Sequence, residues 1–432
     1  MKRTLLVLAL TVLGLLAVGF VLLASAGEVN QEKSALNVQS AASAETSDGL
    51  QVQQPPPPQR AAGSFVKNLR ERNPYLLKQA VFFLVALIPF FAAFFIDYHV
   101  WQRWPFLTIA IYVIVLAMLA LVLLLPGAAH KGAKRWIDIG SFQIQPSEIA
   151  KIVAMMATAV FLDRCRWKVE LFWKGAFPAA VIFGIYTLLI LKEPDFGSTV
   201  IVGAMGLTLM WIAGVKFLHI CALSCMGAAL VIPVLIHNKN RMRRLLATMP
   251  ESIGNKLIDA LNLPFDAASD EKIKNALYQK EQSIIAIQRG GVTGVGFNQS
   301  TQKYKYLPER HTDFIFAIGA EEWGLMLSLL LLALFVTLFV CGIMISLRAP
   351  DRLGRLIASG VTFLIFLQAI CNMGVVSGVL PTKGLALPFI SYGGTNLVTT
   401  LAAMGLLFNV GRRIPLQNQL RRSKISSVFN NN

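Results

Sequence analysis

The chain has 432 residues, 55% of them hydrophobic and only 15% charged, with a mean hydropathy of +0.59. A soluble domain carries about 25% charge, so this composition excludes a soluble globular enzyme and points to a polytopic membrane protein. The net charge of +17 fits cytoplasmic loop bias and contact with anionic head groups; no nucleic-acid motif accompanies it.

Ten apolar segments follow in chain order: 5–23, 76–96, 106–125, 149–162, 175–191, 197–214, 217–236, 314–347, 357–380 and 394–410. They predict an all-α integral membrane protein of about ten transmembrane helices. Several are shorter than the roughly 20 residues a perpendicular span needs. Those helices should extend into polar flanks such as 145–148. The first segment mimics a signal peptide, with Lys2 and Arg3, an apolar run and then Ala24-Ser25-Ala26. The run is long for a signal core, which favours an uncleaved span. Lys2 and Arg3, the Arg164 to Lys174 loop, Arg348 to Arg355 and the basic tail 411–432 all fall on one side. That bias puts both termini in the cytoplasm, although Lys67, Arg70 and Arg72 then fall outside.

Two extracytoplasmic loops are long. The loop 27–75 is rich in Ser, Ala and Gln and contains Pro55 to Pro58, which reads as a flexible, partly polyproline spacer. The large loop 237–312, between helices 7 and 8, holds twelve Lys/Arg against seven Asp/Glu. Its excess of positive charge asks for an anionic ligand, and long loops cross regardless of charge. Near its end, Arg289-Gly290-Gly291-Val292-Thr293-Gly294-Val295-Gly296 permits tight turns. Two readings stay open there: a nest of N–H groups for phosphate, or a turn capping a re-entrant helix. P-loop spacing is absent. The five cysteines lack the His or second Cys pair of a zinc site or a disulfide framework.

Four clusters at the outer ends of spans could carry chemistry. In the first, Arg135 and Trp136 precede Gln145-Pro146-Ser147-Glu148-Ile149-Ala150-Lys151. Pro146 suits a helix start, and Glu148 could cap it. Lys151 lies on the same face as Glu148 and inside an apolar run, and an intramembrane Lys is by default functional. Trp136 reads as an interfacial anchor or a sugar platform. The second is Glu193-Pro194-Asp195-Phe196-Gly197, in which Asp195 is expected in the first turn of a helix started by Pro194.

The third, Gln302 to Phe316, crowds Lys303, Lys305, Glu309, Arg310, His311 and Asp313 against an apolar run. Charge at the mouth of a span is expensive. Asp313 is expected near a helix start with Thr312 as its cap, in surroundings that suit a general base. The fourth, 380–394, interrupts an apolar stretch with two prolines and three glycines. Irregular backbone at that depth lines a cavity, into which Lys383 would project.

Taken together, GAKRWIDIGSFQIQPSEIAK, EPDFGSTV, QSIIAI, GGVTGVGF, QKYKYLPERHTDFIFAIGAEEWG and LPTKGLALPFISYGG resemble the SEDS family, the FtsW/RodA group of bacterial cell-wall proteins. The likeness runs in order over nearly the whole chain. The QKYKYLPE and PTKGLALPFISYGG blocks look more like the division branch, FtsW, than the elongation branch, RodA. The resemblance implies a ten-helix peptidoglycan glycosyltransferase acting on lipid II, the undecaprenyl-pyrophosphate-linked disaccharide peptide, at the outer face of the plasma membrane. The family's essential loop aspartate falls on Asp313 and its functional first-cluster residues on Arg135, Trp136, Glu148 and Lys151. Ser283, Glu309, Arg310, His311, Lys383 and Ser391, in the matching blocks, join the candidates for substrate contact. A class B penicillin-binding protein and other divisome proteins are the implied partners. No metal ligand set is assigned; a divalent cation, Mg or Mn, between substrate phosphates and Glu148 or Glu309 is left open. The loops 27–75 and 259–278 depart from the family by their length.

Glycan transfer from a pyrophosphate needs a base for the acceptor hydroxyl and cations for the leaving phosphates. Asp313 takes the first role; Arg135, Lys151 and Lys383 take the second. A lipid II flippase is the competing reading and would use the same basic cavity. No repeat between the two halves supports it. A division scaffold would tolerate loss of Asp313.

Overall fold

The computed structural model describes residues 1–26, 73–124, 129–130, 133–139, 142–193, 195–237, 242, 271–303, 307, 309–381 and 384–430. Most of the spacer 27–75, much of the loop 237–312, and Lys305 and Lys383 therefore lie outside the described residues.

The helices are α1 (Lys2–Ala26), α2 (Pro74–Phe95), α3 (Pro105–Leu124), α4 (Pro146–Arg164), α5 (Phe177–Lys192), α6 (Phe196–Ile212), α7 (Phe217–His237), α8 (Glu271–Gly290), α9 (Ile315–Leu347), α10 (Arg352–Val376) and α11 (Gly394–Asn430). A single turn, Val100–Arg103, precedes α3, and a π-helical turn, Phe172–Ala176, leads into α5. Seven helices are long and apolar enough to cross a membrane, and α6 and α7 are shorter apolar helices. With α4, which carries Glu148, Lys151, Asp163 and Arg164, ten helices coincide with the ten apolar segments of the sequence; ten crossings would place both ends of the chain on one side. The exception is α8, whose sequence is polar; it lies outside the bundle against α9 and α10.

The bundle centre is made by α10 and α11, whose span windows are 67% and 72% buried, against 11% for peripheral α2. Lipid is as apolar as leucine, so apolarity does not sort the faces of a membrane helix; small and polar residues mark the faces that pack. Ser359, Gly360, Thr362, Gln368 and Asn372 of α10 all turn inward.

The apolar run 314–347, expected as one span, is two pieces. Gly324 (φ 67, ψ −156) breaks α9, leaving 325–347 as the span and 315–323 as a separate half-helix. The break frees backbone groups that lipid cannot satisfy. The glycine-rich loop after α8 supplies their partners: Val295 N and Gly296 N each donate at 3.0 Å, to the Glu321 and Glu322 carbonyls, and Gly291 O accepts Leu325 N at 2.9 Å. A Cβ on Gly294 (φ +80) would lie 2.1 Å from the Glu322 oxygen. Of the two readings of this loop, the cap is therefore the observed one; these amides serve protein carbonyls rather than phosphate.

Two short ribbons, absent from the sequence reading, join α3 to α4. Strands β1 (Ala129–His130) and β2 (Ala133–Lys134) pair antiparallel, as do β3 (Ile137–Ile139) and β4 (Phe142–Ile144) in the register Asp138↔Gln143. Arg135 and Trp136 sit between the ribbons.

Candidate active site

Glu309 opens the Asp313 loop in a left-handed conformation (φ 56), and its carbonyl accepts Thr312 N at 3.1 Å and Phe314 N at 3.4 Å. Thr312 does not cap α9. Its hydroxyl donates back to the Glu309 carboxylate at 3.2 Å, and the helix starts only after Phe314.

Three successive carbonyls of this loop are then held from outside. Tyr392 N donates to His311 O at 2.9 Å, Ser391 Oγ to Thr312 O at 2.6 Å, and Asn372 Nδ2 to Asp313 O at 2.9 Å. The half-buried carboxylate of Asp313 lies over Gly384, where a Cβ would come within 2.7 Å of its Oδ2. Any larger residue there would displace the carboxylate.

Several residues expected to contact substrate hold backbone around this loop. Ser391 is buried and its hydroxyl accepts Leu387 N at 2.7 Å while donating to Thr312 O. Both of its bonds are to backbone, so it fixes loop against loop. Arg310 donates from Nε to Ala26 O at 3.2 Å and also bonds the Lys303 carbonyl, tying the loop to the end of α1. His311 stacks on Tyr75 at 4.1 Å and meets Tyr392 edge-on. Ser283 is buried and donates to Val376 O, which pins α8 to the end of α10.

The pairing of Glu148 with Lys151 is observed. Lys151 Nζ donates to Glu148 Oε1 at 2.8 Å and to Gln368 Oε1 at 2.9 Å, and Asn396 Nδ2 donates to Glu148 Oε2 at 2.9 Å. Lys151 is 2% and Glu148 7% exposed. Glu148 is thus committed to the lysine rather than to a helix cap, while Pro146 does open α4. A cation between Glu148 and substrate phosphates is a poor fit, because both carboxylate oxygens are engaged. Among the described residues no group of three or more His, Cys, Asp or Glu is arranged to hold a metal.

The other clusters join this pair. Asp195 is the N-cap of α6, which starts at Phe196, two residues later than expected, and it accepts Ser198 N at 3.2 Å. Its second oxygen takes Ser147 Oγ at 3.3 Å, which ties α6 to the start of α4. Half-buried Arg135 donates from Nε to the Glu193 carbonyl at 3.2 Å. Gln145 N donates to Thr395 Oγ1 at 3.2 Å, reaching α11. All four sequence clusters therefore meet in one hydrogen-bonded assembly at the outer end of the bundle.

Three further buried carboxylates surround the site. Glu193, expected only as part of a turn, is fully buried with no hydrogen-bond partner for either oxygen among the described residues; burial, then the nearby Asp195 charge, push its pKa up to about 8, against the pull of Arg135. Glu321 gathers Thr301 N at 3.0 Å, Gln302 N at 3.3 Å and the Ser300 hydroxyl, with Arg289 at 3.7 Å. Glu322 accepts Ser25 Oγ at 2.5 Å and pairs with buried Lys303 at 3.4 Å. The last two fasten the approach to the Asp313 loop onto α1 and the broken helix. Their signal was a pair of acids inside an apolar run. Within the Ala24-Ser25-Ala26 stretch, Ser25 and Ala26 are buried beneath these contacts.

Residues 62–414 match the family model described as "Cell cycle protein", FtsW/RodA/SpoVE. The chain is 36% identical over 343 residues to a probable peptidoglycan glycosyltransferase FtsW of Geobacter metallireducens, covering 79% of this chain and 85% of the relative. It is 36% identical over 339 residues to the stage V sporulation protein E of Bacillus subtilis, covering 78% and 86%. Among solved structures, it resembles the rod shape determining protein RodA of Thermus thermophilus, with TM-score 0.59, 24% identity and coverage of 94% of this chain and 96% of that one. A peptidoglycan synthase complex solved for its coordination of polymerization and crosslinking contains a chain like this one, with TM-score 0.63, 24% identity and coverage of 94% and 97%. The match over most of the chain, and over every cluster assembled at the site, makes this protein a member of the FtsW/RodA/SpoVE family.

Proposed function

We infer that this chain is a peptidoglycan glycosyltransferase that polymerises lipid II into glycan strands at the outer face of the plasma membrane, in septal wall synthesis. The observation that carries the reading is the Asp313 loop. Three consecutive carbonyls are fixed, and the one carboxylate at its end is left half-buried over a glycine. A single base held by so many contacts suits proton transfer at a fixed distance.

In the step, the acceptor sugar hydroxyl gives its proton to the Asp313 carboxylate as its oxygen bonds the donor's anomeric carbon. The bond from that carbon to the undecaprenyl pyrophosphate breaks, and the leaving phosphates keep the electron pair. Arg135 and Lys151 would offset that charge. Pyrophosphate leaves readily, so the second carboxylic acid of a glycosidase is not required.

The likeness to a chain of a peptidoglycan synthase complex and the relatives' names support pairing with a class B penicillin-binding protein and placement at the division septum with other divisome proteins. The relatives named FtsW favour division over a RodA-like role in elongation.

The test is a polymerisation assay on the purified chain in liposomes with fluorescent lipid II. Its partner penicillin-binding protein, lacking the transpeptidase serine, is included. Glycan chains longer than the starting disaccharide support the reading. Lipid II that crosses the bilayer without being polymerised would replace it with a flippase.

A further inference from the structure

Gln368 and Asn372 lie four residues apart, on one face of central α10, and are 3% and 1% exposed. Two primary amides this deep in a membrane bundle are costly unless their hydrogen bonds are made. Each makes its bonds in two directions.

Gln368 accepts from Lys151 Nζ at 2.9 Å and donates to Ala386 O at 3.0 Å. Asn372 donates from Nδ2 to Leu385 O at 2.5 Å and to Asp313 O at 2.9 Å. Both acceptors are carbonyls, so the NH2 end must face them and the amide orientation is fixed. The adjacent carbonyls of Leu385 and Ala386 are therefore gripped by one helix face, one turn apart. The opposite grips of that face are on Lys151 and on the Asp313 backbone.

Asn372 Oδ1 is buried with no hydrogen-bond partner among the described residues. An orphaned acceptor costs its desolvation, so this amide is not placed for stability alone.

We propose that Gln368 and Asn372 are positioning residues of the transferase, a strut that sets the spacing between the Lys151 ammonium and the Asp313 carboxylate. The proposal rests on the glycosyltransferase reading. Lys151 and Asp313 come from α4 and from the loop before α9, two elements that need a common reference if base and cation are to address one reacting centre. Through the loop that follows α10, this helix supplies that reference.

The experiment measures kcat and KM for lipid II, and the denaturant unfolding midpoint in detergent, on the full chain with its partner. The variants are Gln368→Met, Gln368→Glu, Asn372→Leu and Asn372→Asp, with Ser359→Ala as control. Ser359 is buried on the same helix but bonds only carbonyls of its own turn. A misplacement near 1 Å costs about 100-fold in rate. The strut variants should therefore lose roughly 10- to 100-fold in kcat with KM within about twofold, whereas Ser359→Ala keeps wild-type kcat whatever its midpoint.

Gln368→Glu retains an acceptor for Lys151 but sets a carboxylate oxygen, with its charge, against the Ala386 carbonyl in place of a donor; Gln368→Met removes both bonds without adding charge, so the two together cover the case in which Asn372→Leu fails to fold. Strut variants with kcat within twofold of wild type, or losses shared equally by Ser359→Ala, overturn the proposal. A wild-type chain that makes no glycan overturns the transferase reading and the positioning role with it. That result differs from an active wild type with indifferent variants.

Discussion

Replacing Lys151 with methionine should cost more stability than any other single side-chain truncation at the outer end of the bundle. The Lys151 side chain is buried, and its ammonium lies 2.8 Å from the buried carboxylate of Glu148. Methionine fills much of the same volume, so the change removes chiefly charge. It leaves the Glu148 carboxylate buried with Asn396 Nδ2, at 2.9 Å, as its hydrogen-bond donor. Breaking a buried pair from one side typically costs about 3–5 kcal/mol, because the remaining charge is uncompensated. The Gln368 oxygen also loses its donor, which adds about 1–3 kcal/mol of unmet desolvation.

The double variant Glu148→Gln/Lys151→Met has no bare charge. It should be less damaged than the sum of the single variants, by up to about 3 kcal/mol, the usual range for residues in contact. Denaturant unfolding in detergent micelles, followed by tryptophan fluorescence, reads both quantities. A Lys151→Met midpoint equal to wild type, or strict additivity in the cycle, would refute the reasoning: the pair would then be hydrated rather than buried.

Three further outcomes follow from the geometry. Gly294→Ala should disrupt the seat of the broken helix, because its φ is +80 and the new Cβ would lie 2.1 Å from Glu322 O; the strain is about 1–3 kcal/mol, read as a lowered unfolding midpoint, and an unchanged one would contradict it. Glu193 keeps a proton in the folded state up to about pH 8 that the unfolded chain releases near 4.5, so stability should fall as pH rises across that window. Glu193→Gln should remove that slope, and parallel pH profiles for the two proteins would show the carboxyl to be solvated. At the cytoplasmic end, the hydrogen bond to Asp351, and then that to Asp97, outweigh burial and raise the His99 pKa; its contribution is therefore complete below its unfolded value of about 6.5 and is lost as pH rises through the folded value. His99→Gln should flatten stability over that range, and a His99→Gln profile that keeps the wild-type slope would place the titration elsewhere.

The spans were legible in the sequence because a membrane helix advertises itself by length and apolarity. Glu148 and Lys151 were legible because charge within such a run is rare. The break at Gly324 was hidden because its flanks are as apolar as a continuous span, and its partner loop lies far upstream in sequence. Spacing could not reveal that the Ser283 and Ser391 hydroxyls bond backbone carbonyls. Gln368 and Asn372 were invisible as well. Single amides in an apolar helix look like tolerated exceptions until the carbonyls they hold are seen. Glu193 looked like turn punctuation, since burial and not sequence removes its partners.

If Asp313 is the base that takes the proton from the acceptor hydroxyl, its amide cannot replace it. The most direct measurement is the lipid II polymerisation rate of Asp313→Asn beside wild type, each with its penicillin-binding partner in liposomes. Asparagine keeps the size of the side chain over Gly384 and loses the base. The account predicts a fall of about 10²–10⁴-fold with the unfolding midpoint preserved. A rate within a few-fold of wild type would contradict it and move the base to another group.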